Sequence, residues 1–429
     1  MRIVRGRLLH WPNNNWRLPE YLEDGVMLIE AGKIMKIGPV RAFVEQGLDL
    51  AGAEYYPGHL ILPGFIDPHL HFPQIDVMAS YGAQLLDWLN DYTFPQEAQY
   101  ADAEFSQVAA ESFISLLLKN GTTTAFAFGS SHATSVEALF AEADRHNMRM
   151  VAGKVLMDQN APENLLDTAT TGIAESEALI QRWHGKGRLG YAITPRFSAT
   201  SSELQLRAAG QLSARYPEVW VQSHLSENRA ELNWIQQIHP SYGDYLATYE
   251  DNGLLHRKSL MGHCIYLSES EIERFAKAGA VAVFCPTSNL FLGSGLMPFQ
   301  ALKEAGISLG MASDVGGGTS INLLETLADA YKVCQLQGYS LHPYEAFHAI
   351  TRGNAAATEL DDSIGSFQVG GEADFVRLDP EQIPLVARRL GGEVSLRDEL
   401  FVYMTLGDER LVVETTVDGR AVYQSETAA

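Results

Sequence analysis

Two histidines spaced two residues apart, His69 and His71, are the first residues of this sequence that could do chemistry together. They follow a short apolar run at residues 64–67, which is typical of a buried strand. Because side chains alternate between the two faces of a strand, residues i and i+2 point the same way. The spacing therefore allows both imidazoles to bind one metal ion, although such a pair taken alone is more often two polar residues in a loop.

A third imidazole and a carboxylate complete a possible metal site. His224 and Asp314 each follow an apolar run further along the chain. Three imidazoles and one carboxylate suit zinc, with a water molecule in the open position. We predict His69, His71, His224 and Asp314 as the ligands of one metal ion per chain, zinc or alternatively iron.

Three acidic or basic side chains beside these ligands could move protons. A bound ion lowers the pKa of its water ligand to about 7, and Asp314 could accept that proton. Glu227 is placed to carry a proton to a leaving group or a ring nitrogen. His263 could stabilise charge that develops on the attacking oxygen. We predict these three residues as catalytic.

Eight strand-like runs alternate with helical stretches through the middle of the chain, and this pattern predicts an α/β fold of the (β/α)8 TIM-barrel type. The predicted helices include residues 104–119, 203–215, 268–278 and, closing the domain, about 343–357. In such barrels the active site lies at the carboxyl ends of the strands, which is where the reactive residues fall. The predicted strands are 64–67, 123–128, 150–157, 189–194, 219–223, 259–262, 280–285 and 308–312.

Both ends of the chain have a different character from the middle. Strand-like runs and glycine turns predict β structure at residues 26–38 and again at 373–378, 410–415 and 420–423. We therefore predict a small β-sandwich domain built from residues 1–62 and 365–429, with the barrel at residues 63–364 as the catalytic domain.

Composition and charge restrict the partners. The chain has 429 residues and a formal net charge of −22, which argues against nucleic acid and anionic membranes because both attract positive surfaces. Three widely spaced cysteines give no disulfide framework, and no apolar run is long enough for a signal peptide or a spanning helix. These features predict a cytoplasmic protein.

The residue that ends the fourth predicted strand argues for one metal rather than two. Two-metal barrels of this kind commonly bridge their ions with a carboxylated lysine at that place, whereas this chain has Arg196 after Pro195. The chain also lacks the Pro-Cys-x-x-Cys motif with which another class of zinc deaminases binds its metal, because no second cysteine follows Cys285 at that spacing.

Together these segments resemble the single-metal deaminase branch of the amidohydrolase superfamily, and within it the guanine deaminase family. The resemblance runs from about residue 60 to 375. Its most specific parts are Gln74, the block WLNDYTFP at residues 88–95, and the pair Arg196-Phe197. The segments that carry it are 63–74 (PGFIDPHLHFPQ), 88–95, 120–124 (NGTTT), 194–198 (TPRFS), 222–228 (QSHLSEN), 261–264 (MGHC) and 313–317 (SDVGG).

The resemblance implies a zinc-dependent, typically homodimeric enzyme that converts guanine to xanthine and ammonia. It assigns the four predicted ligands to the metal. Arg196 would bind the lactam oxygen of the base, Gln74 would pair with a ring edge, and Phe197 would pack on the flat purine. The residues it implies for substrate contact are Gln74, Trp88, Arg196, Phe197, Glu227 and His263.

Two alternatives remain open from the sequence. A related deaminase acting on another aminated heterocycle, such as 8-oxoguanine, a pterin or a triazine, would use the same metal set, although Gln74 and Arg196-Phe197 favour guanine. A scaffold protein without catalytic activity could share the fold, but such relatives tend to lose metal ligands, and this chain keeps all four.

Overall fold

Two sheets organise the chain, one from its middle and one from its two ends. The computed structural model describes residues 1–81 and 85–426, so the last three residues of the C-terminal segment lie outside it. The strands are β1 (Arg2–His10), β2 (Glu20–Glu30), β3 (Lys33–Pro39), β4 (Glu54–Pro63), β5 (Phe65–His71), β6 (Thr122–Phe128), β7 (Arg149–Gly153), β8 (Val155–Leu156), β9 (Leu189–Pro195), β10 (Trp220–Leu225), β11 (Ser259–His263), β12 (Val281–Phe284), β13 (Ser308–Met311), β14 (Phe375–Leu378), β15 (Val412–Val417) and β16 (Arg420–Gln424).

Helices connect the strands of the middle segment and also occur in both chain-end segments. Among the described residues, none of them is both long and apolar enough to cross a bilayer. The α-helices are α1 (Val40–Glu45), α2 (Leu85–Trp88), α3 (Phe94–Ala98), α4 (Ala103–Lys119), α5 (Ala133–Arg145), α6 (Ala169–Trp183), α7 (Glu203–Arg215), α8 (Arg229–Ile238), α9 (Ala247–Glu250), α10 (Glu269–Ala278), α11 (Pro286–Phe291), α12 (Phe299–Glu304), α13 (Leu323–Leu336), α14 (Pro343–His348), α15 (Asn354–Ala357), α16 (Pro384–Leu390) and α17 (Leu396–Leu406).

The middle strands form the predicted barrel. They pair in the order β13-β12-β11-β10-β9-β7-β6-β5, with β8 added on β9, and every pair is parallel. Their residues are buried almost throughout, as expected for parallel strands covered on both faces. The prediction of an eight-stranded α/β barrel is confirmed, and the third predicted strand is divided into β7 and β8 at Lys154.

Hydrogen bonds beyond the strands join the two edges of the barrel. The backbone N–H of Asp314 donates to the carbonyl of His69 (3.0 Å), and the N–H of His71 donates to the carbonyl of Val315 (3.2 Å). The side chain of Asn354 adds a clamp: it accepts from the N–H of Met311 (2.9 Å) and donates to the carbonyl of Ile66 (2.7 Å). The two strands that carry His69, His71 and Asp314 are therefore fixed relative to each other.

The chain ends build the second sheet. Its strand order is β16-β15-β14-β4-β1-β2-β3, in which only β1 and β4 are parallel. The prediction of a small β unit made from both ends is confirmed, but where a sandwich was expected the described residues form one sheet of seven strands. Only Gly64 separates β4 from β5, and a Cβ there would come within 2.1 Å of Oγ1 of Thr123, so glycine allows this close approach.

A buried ion-pair cluster joins the small sheet to the barrel. Arg188, which is 8% exposed, pairs with Asp374 and with Glu372, the latter at 2.7 Å between Nη2 and Oε2. Arg149 also contacts Glu372, at 2.7 Å. Because Arg149 and Arg188 come from the barrel and the carboxylates precede β14, this cluster fixes the position of the small sheet against the barrel.

Candidate active site

Four predicted metal ligands face a common point at the carboxyl ends of the barrel strands. His69 and His71 lie on β5, His224 lies on β10, and Asp314 lies three residues beyond β13. Each residue offers one ligand atom, and these atoms all lie within 4.8 Å of one another. The Nε2 atoms of His71 and His224 are 3.0 Å apart, and Nε2 of His69 and of His71 are each 3.5 Å from Oδ1 of Asp314.

Burial favours the neutral form of His71 and His224, the form that metal binding requires. Burial lowers the pKa of His71 and of His224 well below the usual range, and neighbouring imidazoles add to this effect. Nδ1 of His224 lies 2.6 Å from the carbonyl oxygen of Arg196, so it donates there and leaves the lone pair on Nε2. Burial opposes ionisation of Asp314, yet the adjacent imidazoles of His69 and His263 leave its pKa below the ordinary value.

Unpaired nitrogens show that this donor set fits a metal ion. Both ring nitrogens of His69 and Nδ1 of His71 are buried without a hydrogen-bond partner in the described structure. Such groups cost free energy unless something binds them. Three neutral imidazoles and an ionised carboxylate are the ligands preferred by zinc and similar divalent ions.

Asp67 supports two of these ligands from within β5. Its carboxylate is fully buried and accepts hydrogen bonds from the N–H groups of His69 and Ser313, each at 3.3 Å, and from the hydroxyl of Ser313. Burial raises the pKa of Asp67 to about 7. The residue was not singled out from the sequence, because an aspartate next to a proline more often forms a turn.

Glu227 and His263 lie together beside the four ligands. Nε2 of His263 is 3.4 Å from Oε2 of Glu227 and 3.8 Å from Oδ2 of Asp314. The hydroxyl of Ser294 donates to Oε1 of Glu227 (2.7 Å), and Nδ2 of Asn289 donates to Nδ1 of His263 (2.8 Å). This second contact leaves the ring proton of His263 on Nε2, where it faces Glu227 and Asp314.

Burial shifts the pKa values of this pair in opposite directions. The pKa of Glu227 is well above its ordinary value because the carboxyl is buried and because Glu231 and Asp314 are near. Burial lowers the pKa of His263 to about 4. A carboxyl that holds a proton beside a neutral imidazole is suited to general acid–base work.

The backbone is strained where these side chains enter the site. Ser226, His263 and Asp314 adopt φ values of 53°, 74° and 52°, in the left-handed region that residues other than glycine rarely occupy. Each such residue costs about 1–3 kcal/mol and typically persists at functional positions. All three lie at or just beyond the ends of β10, β11 and β13, so the strain is concentrated at the barrel mouth.

A cavity with about 430 Å³ of empty space, part of it open solvent, lies at this mouth. Leu89, Glu231, Ser288, Leu292 and Gly317 also contribute to its wall. His69 lies behind the wall and is fully buried. The predicted site residues that line the cavity are His71, Gln74, Trp88, Arg196, Phe197, His224, Glu227, His263 and Asp314.

The aromatic part of the wall is built from two elements. Trp88, at the end of α2, is 2% exposed and belongs to an apolar cluster with Phe94 and Phe128, so it both packs in the core and borders the cavity. Phe197 follows β9 and contacts Trp234 of α8 edge-on, with ring centroids 5.9 Å apart. Large flat side chains of this kind suit a flat aromatic ligand.

The polar part of the wall depends on Glu97, which sequence reasoning missed. Its buried carboxylate accepts from Nε2 of Gln74 (2.9 Å) and from Nη1 of Arg196 (2.8 Å to each oxygen). The one available signal was its position two residues after the block at 88–95. Gly316 was also missed: its φ is 117°, and a Cβ there would come within 2.1 Å of Oε1 of Gln74.

Comparison with known proteins agrees with this geometry. Residues 60–422 match the model of the amidohydrolase family. The guanine deaminase of Escherichia coli (strain K12) is 48% identical over 94% of this chain and 92% of its own length. The solved structure of the E. coli guanine deaminase superposes with a TM-score of 0.97 at 46% identity, covering 99% of this chain and 100% of that one. A guanine deaminase from C. acetobutylicum with bound guanine gives a TM-score of 0.88 at 28% identity, covering 98% and 100%. The chain therefore belongs to the amidohydrolase superfamily, within its guanine deaminase family.

Proposed function

We propose that this protein deaminates guanine by hydrolysis, giving xanthine and ammonia. The observation that carries the proposal is one cavity in which three of the four ligands, His71, His224 and Asp314, lie together with Gln74, Arg196 and Phe197. The similarity to guanine deaminases over nearly the whole chain supports the same substrate.

The wall residues would bind and orient the base. A guanidinium N–H of Arg196 donates to the lactam oxygen, and the amide of Gln74 pairs with a ring edge. Phe197 packs against the face of the purine. This arrangement turns the amine-bearing carbon toward the histidines, and adenine fits it poorly because adenine has no lactam oxygen.

We propose that His69, His71, His224 and Asp314 hold one zinc ion per chain, with iron as the alternative. When bound, such an ion supplies a water molecule activated for attack at neutral pH. Asp314 accepts a proton at its carboxylate, and Glu227 delivers a proton to the ring nitrogen beside the amine-bearing carbon. His263 donates from Nε2 to the attacking oxygen. Asp314 passes its proton to the amino group, which leaves as ammonia, and the proton of the added hydroxyl returns to Glu227 as the C=O bond forms.

The test is turnover by the purified, zinc-loaded protein. We expect guanine to be converted to xanthine, adenine to be deaminated poorly, and mass spectrometry to give one metal ion per chain. A panel containing 8-oxoguanine, a pterin and a triazine addresses the alternative substrates. Absence of xanthine, or equal turnover of several unrelated heterocycles, would exclude the proposal, and two ions per chain would exclude the single-metal site.

We also propose where the enzyme acts, its oligomeric state and its division into domains. We expect a cytoplasmic homodimer that binds neither nucleic acid nor membrane, in line with the net charge of −22. We also propose the division into a catalytic domain at residues 63–364 and a small domain from residues 1–62 and 365–429. Light scattering of the purified protein tests the dimer, and a monomer would contradict it.

A further inference from the structure

Glu97 joins two of the proposed substrate-binding residues from behind the cavity wall. It lies on α3, its side chain has no exposed surface, and it does not itself line the cavity. Its Oε1 accepts from Nε2 of Gln74 at 2.9 Å, and both of its oxygens accept from Nη1 of Arg196 at 2.8 Å. One carboxylate thus holds the two side chains that would contact the polar edge of the base.

We propose that Glu97 is a positioning residue that sets the base specificity of the site, an inference that rests on the proposed function. An ionised carboxylate can only accept hydrogen bonds. Gln74 must therefore turn its NH₂ group toward Glu97 and its carbonyl oxygen away. That oxygen lies against Gly316, where an added Cβ would come within 2.1 Å of it. Glu97 and Gly316 together give Gln74 one fixed pattern of donor and acceptor.

Glu97 fixes Arg196 in a similar way. Both hydrogen bonds to Glu97 use Nη1, so Glu97 leaves Nε and Nη2 of this cavity-lining residue unused. The guanidinium is 4% exposed, and Phe94, on the same short helix as Glu97, has its ring centre 5.5 Å from Cζ of Arg196. Helix α3 therefore holds the guanidinium by charge and by a ring face. A donor fixed in this manner discriminates for a base with an acceptor at that edge, since a base without one leaves the buried donor unpaired.

The experiment compares two purines that differ at this edge. Guanine has the lactam oxygen and an N1–H group, whereas 2-aminopurine has the same amine on the same carbon, a hydrogen in place of the oxygen, and no hydrogen on N1. For wild type and Glu97→Gln we would measure kcat and KM for guanine, and the inhibition constant of 2-aminopurine in competition with it. We expect Glu97→Gln to raise the KM for guanine about tenfold or more, while kcat and the inhibition constant each change less than about threefold.

Two further variants separate positioning from a general loss of structure. Glu97→Asp keeps an acceptor-only carboxylate on a shorter side chain, and we expect it to recover part of the discrimination. Glu414→Gln makes the same substitution at a buried carboxylate of the small sheet, which pairs with Arg377 at 3.2 Å, and we expect its discrimination to equal that of wild type.

The outcomes distinguish a positioning role of Glu97 from a purely structural role and from failure of the proposed function. If Glu97→Gln weakens both purines equally, Glu97 has a structural role only and the inference is overturned. If Glu97→Gln does not fold, Glu97→Asp decides, because an unchanged ratio of the two constants would overturn the inference and a lowered preference for guanine would support it. If wild type itself does not turn over guanine, the proposed function fails. If wild type turns over guanine and its preference for guanine does not depend on Glu97, only the present inference fails.

Discussion

Replacing Glu227 by glutamine should remove most turnover and leave the metal site intact. Glutamine has nearly the same shape and can still accept from Ser294 through its carbonyl oxygen, a contact of 2.7 Å in the native site. It cannot hold or deliver a proton, and general acid–base catalysis is worth about 10²–10⁴-fold in rate, or about 3–5 kcal/mol. Glu227 is outside the group of four ligand atoms, so the bound metal should be unchanged.

The assay is steady-state xanthine formation, with metal content measured on the same sample. We expect kcat to fall by about 10²–10⁴-fold with one ion per chain retained. Ser294→Ala is the matched control, because it keeps the carboxyl and removes one hydrogen bond to it, which should cost about tenfold. A Glu227→Gln enzyme within a few-fold of wild type would refute the assignment of Glu227 as the proton carrier. Loss of metal from this variant would refute the claim that Glu227 transfers protons without taking part in metal binding.

Three other changes test the site and its frame. Gly316→Ala should displace Gln74, because the new Cβ would come within 2.1 Å of Oε1 of Gln74. We expect kcat/KM for guanine to fall about 10²-fold while the metal content stays unchanged, and wild-type kinetics would contradict this. Arg188→Met removes a positive charge that pairs with the buried carboxylates of Asp374 and Glu372. We expect the free energy of unfolding, measured by urea titration, to fall by about 3 kcal/mol, and a loss below about 1 kcal/mol would contradict this. Burial lowers the pKa of His10 to about 4 in the folded protein, whereas an unfolded histidine titrates at about pH 6.5. Between these two pH values His10 is protonated more in the unfolded chain than in the folded one, so the free energy of unfolding falls as the pH falls. At pH 5 this site should cost about 2 kcal/mol in wild type, and His10→Asn should lack this part of the acid sensitivity; equal acid sensitivity of the two proteins would contradict it.

The barrel could be predicted from the sequence because its strands have strong local signals. The run at Thr122–Phe128 is apolar or β-branched throughout and is bounded by Gly121 and Gly129, so its strand was predicted to within one residue. Parallel order follows from the alternation with helices. Once the strands are placed, the rule that active sites lie at their carboxyl ends brings His69, His224 and Asp314 together without any knowledge of the side-chain contacts.

Features that depend on contacts between distant residues could not be predicted. Glu97 lies on a five-residue helix with the sequence FPQEA, where a glutamate would ordinarily be exposed, and its burial depends on Arg196, which is 99 residues away. Asn354 gave a similar difficulty: the sequence predicted one helix over residues 343–357, whereas a π-helical turn at Ala349–Gly353 interrupts it. Because of that turn, Asn354 reaches the edge strands of the barrel.

The small sheet shows the same limit at the level of topology. Its strands were recognised at both chain ends, but nothing local indicates that β1 pairs with β4 in parallel or that β14 pairs with β4. A strand pattern predicts which face is buried and leaves the partner open. One continuous sheet and two packed sheets therefore have similar sequence patterns, and the long-range register decides between them.

The charges around the cavity bear on the proposal of one divalent cation per chain. Glu227, Glu231 and Asp314 line the cavity, and Glu97 lies behind it, whereas Arg196 is the one permanent cation among the described lining residues. Glu97 neutralises Arg196, so the other three carboxylates are left without a permanent positive partner. Burial, with Glu231 and Asp314 close by, raises the pKa of Glu227, and burial also raises that of Glu231; both shifts relieve part of this excess by protonation. One doubly charged ion at the four ligands would be enough to balance the carboxylates that stay ionised. A second ion would require further anionic ligands, and the position where a bridging lysine would stand holds the cation Arg196.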